Sequence, residues 1–174
     1  MFTVAPASPD QLDDLAALLG QRQFFASKLA AQARALGVLL VGRLDGAAVG
    51  NVWVSFSPAP EAEVNEFLPG VPMLVHLEVL SVFRNRGLGT SLIRAAEDLV
   101  RARGHARISL GVGIDNPGAR RLYERLGYAE WAHGTIATGY HWVGGDGVPR
   151  WFPETITMLV KSLTAGSGNP SPVR

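Results

Sequence analysis

Apolar and polar positions along the chain switch between a helical and a strand period, and the switches mark out its elements. Phe2-Thr3-Val4-Ala5 predicts a short strand. Ser8-Pro9-Asp10-Gln11 reads as a helix start, with Ser8 as cap, Pro9 at the first helical position and Gln11 closing a capping box. Leu12, Leu15, Leu18 and Leu19 share one face of the helix that follows, and Gly20 stops it. A second helix is predicted over about 24–36, with Phe24, Phe25, Leu29 and Ala33 as its apolar positions. Strand-like runs over 38–43 and 48–56 flank Asp45-Gly46, a hairpin signal. Residues 57–72, rich in proline and acid, read as a loop. A helix over about 89–103 buries Leu92, Ala96, Leu99 and Val100 and ends at Gly104. Ile108, Leu110 and Val112 alternate in a strand over 106–113, and Asn116 caps a helix that Pro117 opens and Gly127 stops. Two last strands, over 129–142 and 155–163, bracket a glycine-rich loop over 143–153.

The element order predicts an α/β fold, α+β in some schemes, in one domain over 1–163 with a disordered tail over 164–174. The 47% hydrophobic content supplies a sizeable core. With no cysteine, disulfides, thiolate metal sites and an acyl-cysteine intermediate are excluded. No stretch approaches the roughly 18 apolar residues of a membrane span, and no cationic segment leads into an apolar run at the N-terminus. A cytoplasmic protein with neither membrane nor metal is expected. A net charge of +1 argues against nucleic acid as the main partner. The charge is unevenly spread: residues 84–125 hold nine arginines against four acids, which leaves the rest of the chain acidic. That asymmetry suits one anionic ligand and one cationic one.

The anionic ligand has an evident seat. Leu77-Glu78-Val79-Leu80-Ser81-Val82-Phe83 runs as a strand into Arg84-Asn85-Arg86-Gly87-Leu88-Gly89-Thr90, where a helix begins. Glycines let an anion approach the backbone, the first helical amides are unpaired, and the helix dipole adds partial positive charge. The spacing lacks the Gly-Lys-Ser/Thr of a nucleotide phosphate loop and the third glycine of a dinucleotide fingerprint. Arg84-x-x-Gly87-x-Gly89 resembles instead the acyl-CoA pyrophosphate loop of the GNAT superfamily of N-acetyltransferases. Leu110-x-Val112-x-x-x-Asn116-x-x-Ala119-x-x-Leu122-Tyr123-x-x-x-Gly127-Tyr128 resembles the second signature of the same family. Together the two cover residues 77–128.

The resemblance implies a single GNAT-like domain, with a central twisted, mixed but mostly antiparallel sheet that splays beside its central strand, helices on both faces, and acetyl-CoA as co-substrate in the cleft. The backbone of Leu77, Val79 and Leu80 is then expected to pair with pantetheine, and that of Arg86, Gly87, Leu88, Gly89 and Thr90 to hold the pyrophosphate beside Arg84. Asn116 is expected both to cap its helix and to bond the pantetheine arm. Tyr123 occupies the position of the family's tyrosine, which gives the leaving thiolate its proton. A backbone N–H near Val79 is the expected oxyanion donor.

An amine attacking a thioester must also lose a proton. Many family members carry an acid or histidine earlier on the central strand, where this chain has Met73 and Val75. Here the polar side chains are His76 and Glu78, and a bulge in the strand would turn them toward the acceptor. Glu78 is the first choice of base, with His76 as partner or base and an ordered water as the further alternative. Phe24, Phe25, Glu78 and Trp142 are the candidate acceptor-binding residues, with Glu63, Glu66, Trp131, His133, His141 and Trp151 as further residues that could shape the pocket, Glu61 beside the two glutamates as an attractor of a protonated amine, and residues 144–153 as a lid. The acceptor reads as a small-molecule primary amine attacked in a ternary complex. A peptide or protein N-terminus and a non-catalytic acyl-CoA-binding module are the alternatives. Exposed strands in a splayed sheet are compatible with a homodimer.

Overall fold

The computed structural model of the chain describes residues 1–144 and 146–164. The expected tail, beyond Thr164, lies outside the described residues. Strands β1 (Phe2–Pro6), β2 (Gly37–Leu44), β3 (Ala47–Ser55), β4 (Met73–Val79), β5 (Arg107–Gly113), β6 (Ala129–Val143) and β7 (Pro149–Ser162) form one sheet in the order β1-β2-β3-β4-β5-β7-β6. Every neighbouring pair is antiparallel except β4 and β5.

Helices cover both faces. α4 (Leu88–Ala102) and α5 (Pro117–Arg125) pack Leu92, Ile93, Ala96, Val100, Leu122 and Tyr123 on the face carrying Val52, Leu74, Ile108, Leu110 and Leu159. α1 (Leu12–Leu19) and α2 (Arg22–Ala33) bury Leu15, Leu19, Phe25 and Leu29 against Leu39, Val41 and Trp53 on the other face. Met73 and Val75, two apart on β4, belong to that second face, and Met73 continues it to a third cluster around Val64, Trp131 and Met158. The sequence placed α2 two residues late at its start and three late at its end. Its apolar stripe runs on into Leu36, but Ala35 turns left-handed and breaks it.

Two segments differ from expectation. The loop over 57–72 contains a short helix, α3 (Ala62–Phe67), held by Val64 and Leu68 in the third cluster and by the Asn65 carboxamide, which donates to and accepts from Ala59. Six residues are too few to display a helical period. The supposed loop over 143–153 is mostly strand, with Trp151 opposite His141 and Phe152 opposite Tyr140. Residues 149–155 of β7 pair with β6 alone, so Pro149 and Pro153 leave no ladder donor missing on their open side.

The local signals around the second signature hold. The Asn116 side chain accepts from the Ala119 N–H at 3.1 Å, and Pro117 follows it. Asn116→Ala is expected to cost about 1 kcal/mol of stability, measured as a lower urea midpoint at unchanged slope.

Candidate active site

The two parallel strands part almost at once. β4 and β5 pair only at Met73 with Ser109 and Leu74 with Leu110, so residues 75–79 keep β3 on one side and an open edge on the other. On that same stretch β4 carries one extra residue: Trp53 faces Val75 but Asn51 faces Glu78. The extra residue is a bulge, and His76 takes a left-handed φ of 55° within it. Such a backbone is uncommon outside glycine and is kept where the surroundings impose it.

The bulge resets which side chains share a face. Leu77 and Val79 turn to the α4 and α5 side, while Val75, Glu78 and Leu80 belong with α1 and α2. His76 Nε2 lies 3.2 Å from Glu78 Oε2, which also accepts from Gln21 Nε2 at 2.9 Å. Gln21 sits between α1 and α2 in a left-handed conformation and gave no signal in the sequence. The His76 ring packs on Phe24, centroids 4.2 Å apart. Hydrogen bonding by His76 holds the Glu78 carboxyl below the usual carboxylate range, with Gln21 and the charges of His76 and Arg84 adding to it and partial burial opposing. Glu78 is therefore ionised at neutral pH and already occupied by donors, which makes it a poorer proton acceptor than the sequence suggests.

Tyr123 lies on the opposite face of the sheet, packed against the same core cluster as Leu77 and Val79 and edge-on to Tyr128. Burial pushes its hydroxyl up to about 12, so it is protonated throughout the neutral range. The open edge of β4 thus separates a protonated phenol on one side from an imidazole–carboxylate pair on the other.

Beyond β4, Gly87 stands before the first turn of α4 at φ 77°, with open space where a Cβ would be. Arg84, Arg86 and Gly87 are exposed there, and the first α4 amides, at Leu88, Gly89 and Thr90, precede the internal bonding that begins with Ser91 to Gly87. The Arg84 Nε–H donates to the Val79 carbonyl at 3.0 Å, and the Arg86 guanidinium lies over the Phe83 ring. Leu80 turns its N–H to Val49 on β3, so by strand alternation the Val79 N–H faces the open edge. An open strand edge leading to a glycine-bounded helix start flanked by two arginines fits an extended amide chain joined to a pyrophosphate, as in CoA.

Other expected site residues lie elsewhere. Phe25, a candidate for the acceptor pocket, is fully buried in the core under α2, because its side chain turns inward where that of Phe24 turns to His76. Trp142, the other aromatic candidate, is opposite Arg150 on the stretch where β6 and β7 pair only with each other. Trp131 is in the third cluster, His133 stacks on Phe67, and His141 lies against Trp151. The lid over 144–153 is contradicted in its second half, which is β7. A cavity of about 280 Å³ lined by Phe56, Asn65, Leu68, Val71 and Met73 is at the other end of β4 from Glu78. Asn51, across from Glu78, is fully buried, and a lone polar residue in the apolar run 49–54 is a signal the sequence offered.

Residues 9–128 match the family described as Acetyltransferase (GNAT) family. The chain belongs to that family. The co-substrate of GNAT acetyltransferases is acetyl-CoA, which the open edge and the α4 start fit. An uncharacterized N-acetyltransferase of Methanocaldococcus jannaschii is 46% identical over 48 residues, 28% of this chain and 21% of that protein. The N-alpha-acetyltransferase 30 of Schizosaccharomyces pombe is 34% identical over 55 residues, 32% of this chain and 37% of that one. The chain therefore matches about a fifth and about a third of the length of these two curated relatives. Among solved structures, the ribosomal-protein-S18-alanine N-acetyltransferase of Escherichia coli superposes with a TM-score of 0.66 at 18% identity, over 97% of this chain and 99% of that one. This likeness is one of fold. The single α/β domain with a mixed, splayed seven-stranded sheet is the GNAT fold. Among the described residues no helix is long and apolar enough to cross a membrane.

Proposed function

We propose that this GNAT protein moves the acetyl group of acetyl-CoA to the primary amine of a small molecule by direct attack in a ternary complex, with His76 as the base. The observation that carries this is the His76–Glu78 pair, set by the bulge at the open edge of β4 on the face opposite Tyr123. An ionised Glu78 accepts the Nε2–H of His76, which leaves Nδ1 unprotonated and able to take the proton that the attacking amine loses. Glu78 then acts as a positioning residue that favours the imidazolium as it forms. The Val79 N–H donates to the oxygen of the thioester carbonyl as carbon–nitrogen bonding proceeds and carbon–sulfur bonding breaks.

On the far side Tyr123 meets the departing sulfur. A hydroxyl at about 12 is a weaker acid than a thiol near 8.5, so Tyr123 stabilises the thiolate chiefly by donating a hydrogen bond. Tyr123→Phe is expected to lower kcat about 10- to 100-fold with little change in acetyl-CoA affinity by calorimetry. Unchanged turnover would remove Tyr123 from this role. In the wild type no falling limb from Tyr123 is expected until the pH approaches 12.

A peptide N-terminus is the second reading. It is favoured by the names of the Schizosaccharomyces pombe relative, an N-alpha-acetyltransferase, and of the E. coli neighbour, a ribosomal-protein-S18-alanine N-acetyltransferase. Thiol release from acetyl-CoA decides between them when alkylamines, arylalkylamines, amino acids and short peptides are offered in parallel. Turnover of small amines above that of every peptide supports the first reading, the reverse order the second, and tight CoA binding with no turnover a binding module.

A further inference from the structure

Asn51 is an anomaly among the described residues. It is fully buried, and neither its amide nitrogen nor its carbonyl oxygen has a hydrogen-bond partner among the described residues. An orphaned buried amide is destabilising, and an apolar residue of similar shape would avoid that cost. Its neighbours in the run, Val49, Val52, Trp53 and Val54, are apolar and buried as the core requires.

Its place explains what a carboxamide does there. Asn51 is directly opposite Glu78 in the β3–β4 register, at the first paired position after the bulge. Opposed residues of antiparallel strands share a face, with Cβ atoms about 5 Å apart, so the Asn51 amide is within side-chain reach of the Glu78 carboxylate. Both donors recorded on that carboxylate, from Gln21 and His76, fall on Oε2. An orphaned donor therefore stands across from a carboxylate whose second oxygen has no donor among the described residues.

We propose that Asn51 is a positioning residue of the site, its carboxamide N–H donating to Glu78 Oε1 as CoA fills the cleft and water leaves it. The inference rests on the His76–Glu78 reading above, and it adds a residue to which neither family signature extends. Withdrawal of water strengthens a hydrogen bond to a charged oxygen, so the amide that is idle in the free protein gains a partner when the cleft is occupied. With Oε1 held from below, Glu78 keeps Oε2 aimed at His76 while the acceptor moves in. The charged groups on the elements around Glu78 are His76 on its own strand, Arg84 beyond the strand end, Asp14 of α1 paired with Arg43 of β2, Asp13 of α1 paired with Arg22 of α2, and Lys28 on α2. Asn51 differs from all of them in being neutral and wholly buried, so its removal changes a hydrogen bond without changing the site's charge.

The test uses the full chain with glutamate carboxyls labelled with ¹³C and saturated with CoA, the Glu78 signal being assigned by its loss in Glu78→Gln. Asn51→Leu is expected to raise the Glu78 titration midpoint by about one pH unit, because loss of a donor disfavours the carboxylate. The same variant is expected to keep or raise the melting temperature, since it removes an orphaned amide. Asn51→Ser, which retains a donor on a shorter side chain, is expected to lie between wild type and Asn51→Leu. A Glu78 titration unmoved in both variants overturns the proposal, and so does an equal shift in Asn51→Leu and Asn51→Ser. This readout needs no turnover: if Glu78→Gln leaves amine acetylation and its pH profile unchanged, the base-pair reading fails on that result alone.

Discussion

His76→Gln is expected to lower kcat for amine acetylation by about 10²- to 10⁴-fold, the range that general-base catalysis contributes. Glutamine can still donate to Glu78 and pack on Phe24, so the loss is that of the proton acceptor rather than of the local fold. The pH profile sharpens the expectation. As the pH falls, the wild type is expected to lose activity along a limb that is absent in His76→Gln, because Glu78 is held below the carboxylate range and is not the group that gives rise to it. A limb in the carboxylate range, lost in Glu78→Gln and kept in His76→Gln, would return the base to Glu78. Acetyl-CoA affinity is expected to be the same in wild type and His76→Gln, since the α4 start and the arginines are untouched.

The second large effect is on stability and lies outside the site. Glu97 of α4 is buried, and it accepts Lys161 Nζ on both carboxylate oxygens, at 2.9 and 2.8 Å, and the Tyr128 hydroxyl at 3.0 Å. These bonds tie α4 to β7 and to the end of the second signature. Lys161→Met leaves a buried carboxylate with a single neutral donor and is expected to cost about 3–5 kcal/mol, read as a lower urea midpoint. Pairing Lys161→Met with Glu97→Leu is expected to recover most of the loss, because the cost is that of an uncompensated buried charge and not of the missing contact. Equal instability of the single and double variants would show that packing rather than charge is at stake.

The parts of this molecule legible in the sequence are those written in short-range chemistry. The Arg84-to-Thr90 turn and the Asn116 cap each depend on residues within a few positions of one another, and both appear where the spacing puts them. The bulge at His76 was foreseeable because a histidine and a glutamate two apart in an apolar strand need a reason to be there. What the sequence could not convey depends on partners far along the chain. Phe24 and Phe25 are equally aromatic, and only the packing of α2 decides that one meets His76 and the other the core. Pro149 and Pro153 read as loop until it is known that their part of β7 has a neighbour on one side alone. Gln21 reaches Glu78 across 57 positions, through a left-handed junction that no local pattern announces. Asn51 was visible as a polar break in an apolar run, but its meaning depends on the register that brings it opposite Glu78.

The central claim is that the cleft beside β4 joins acetyl-CoA to a primary amine with His76 as base. Thiol release from acetyl-CoA, followed against pH for wild type and His76→Gln with the small amine turned over fastest, tests it most directly. Release that depends on the amine, falls along a limb at low pH in the wild type and drops at least 100-fold without that limb in His76→Gln is the predicted result. Amine-dependent release with the same rate and the same limb in both proteins would contradict it.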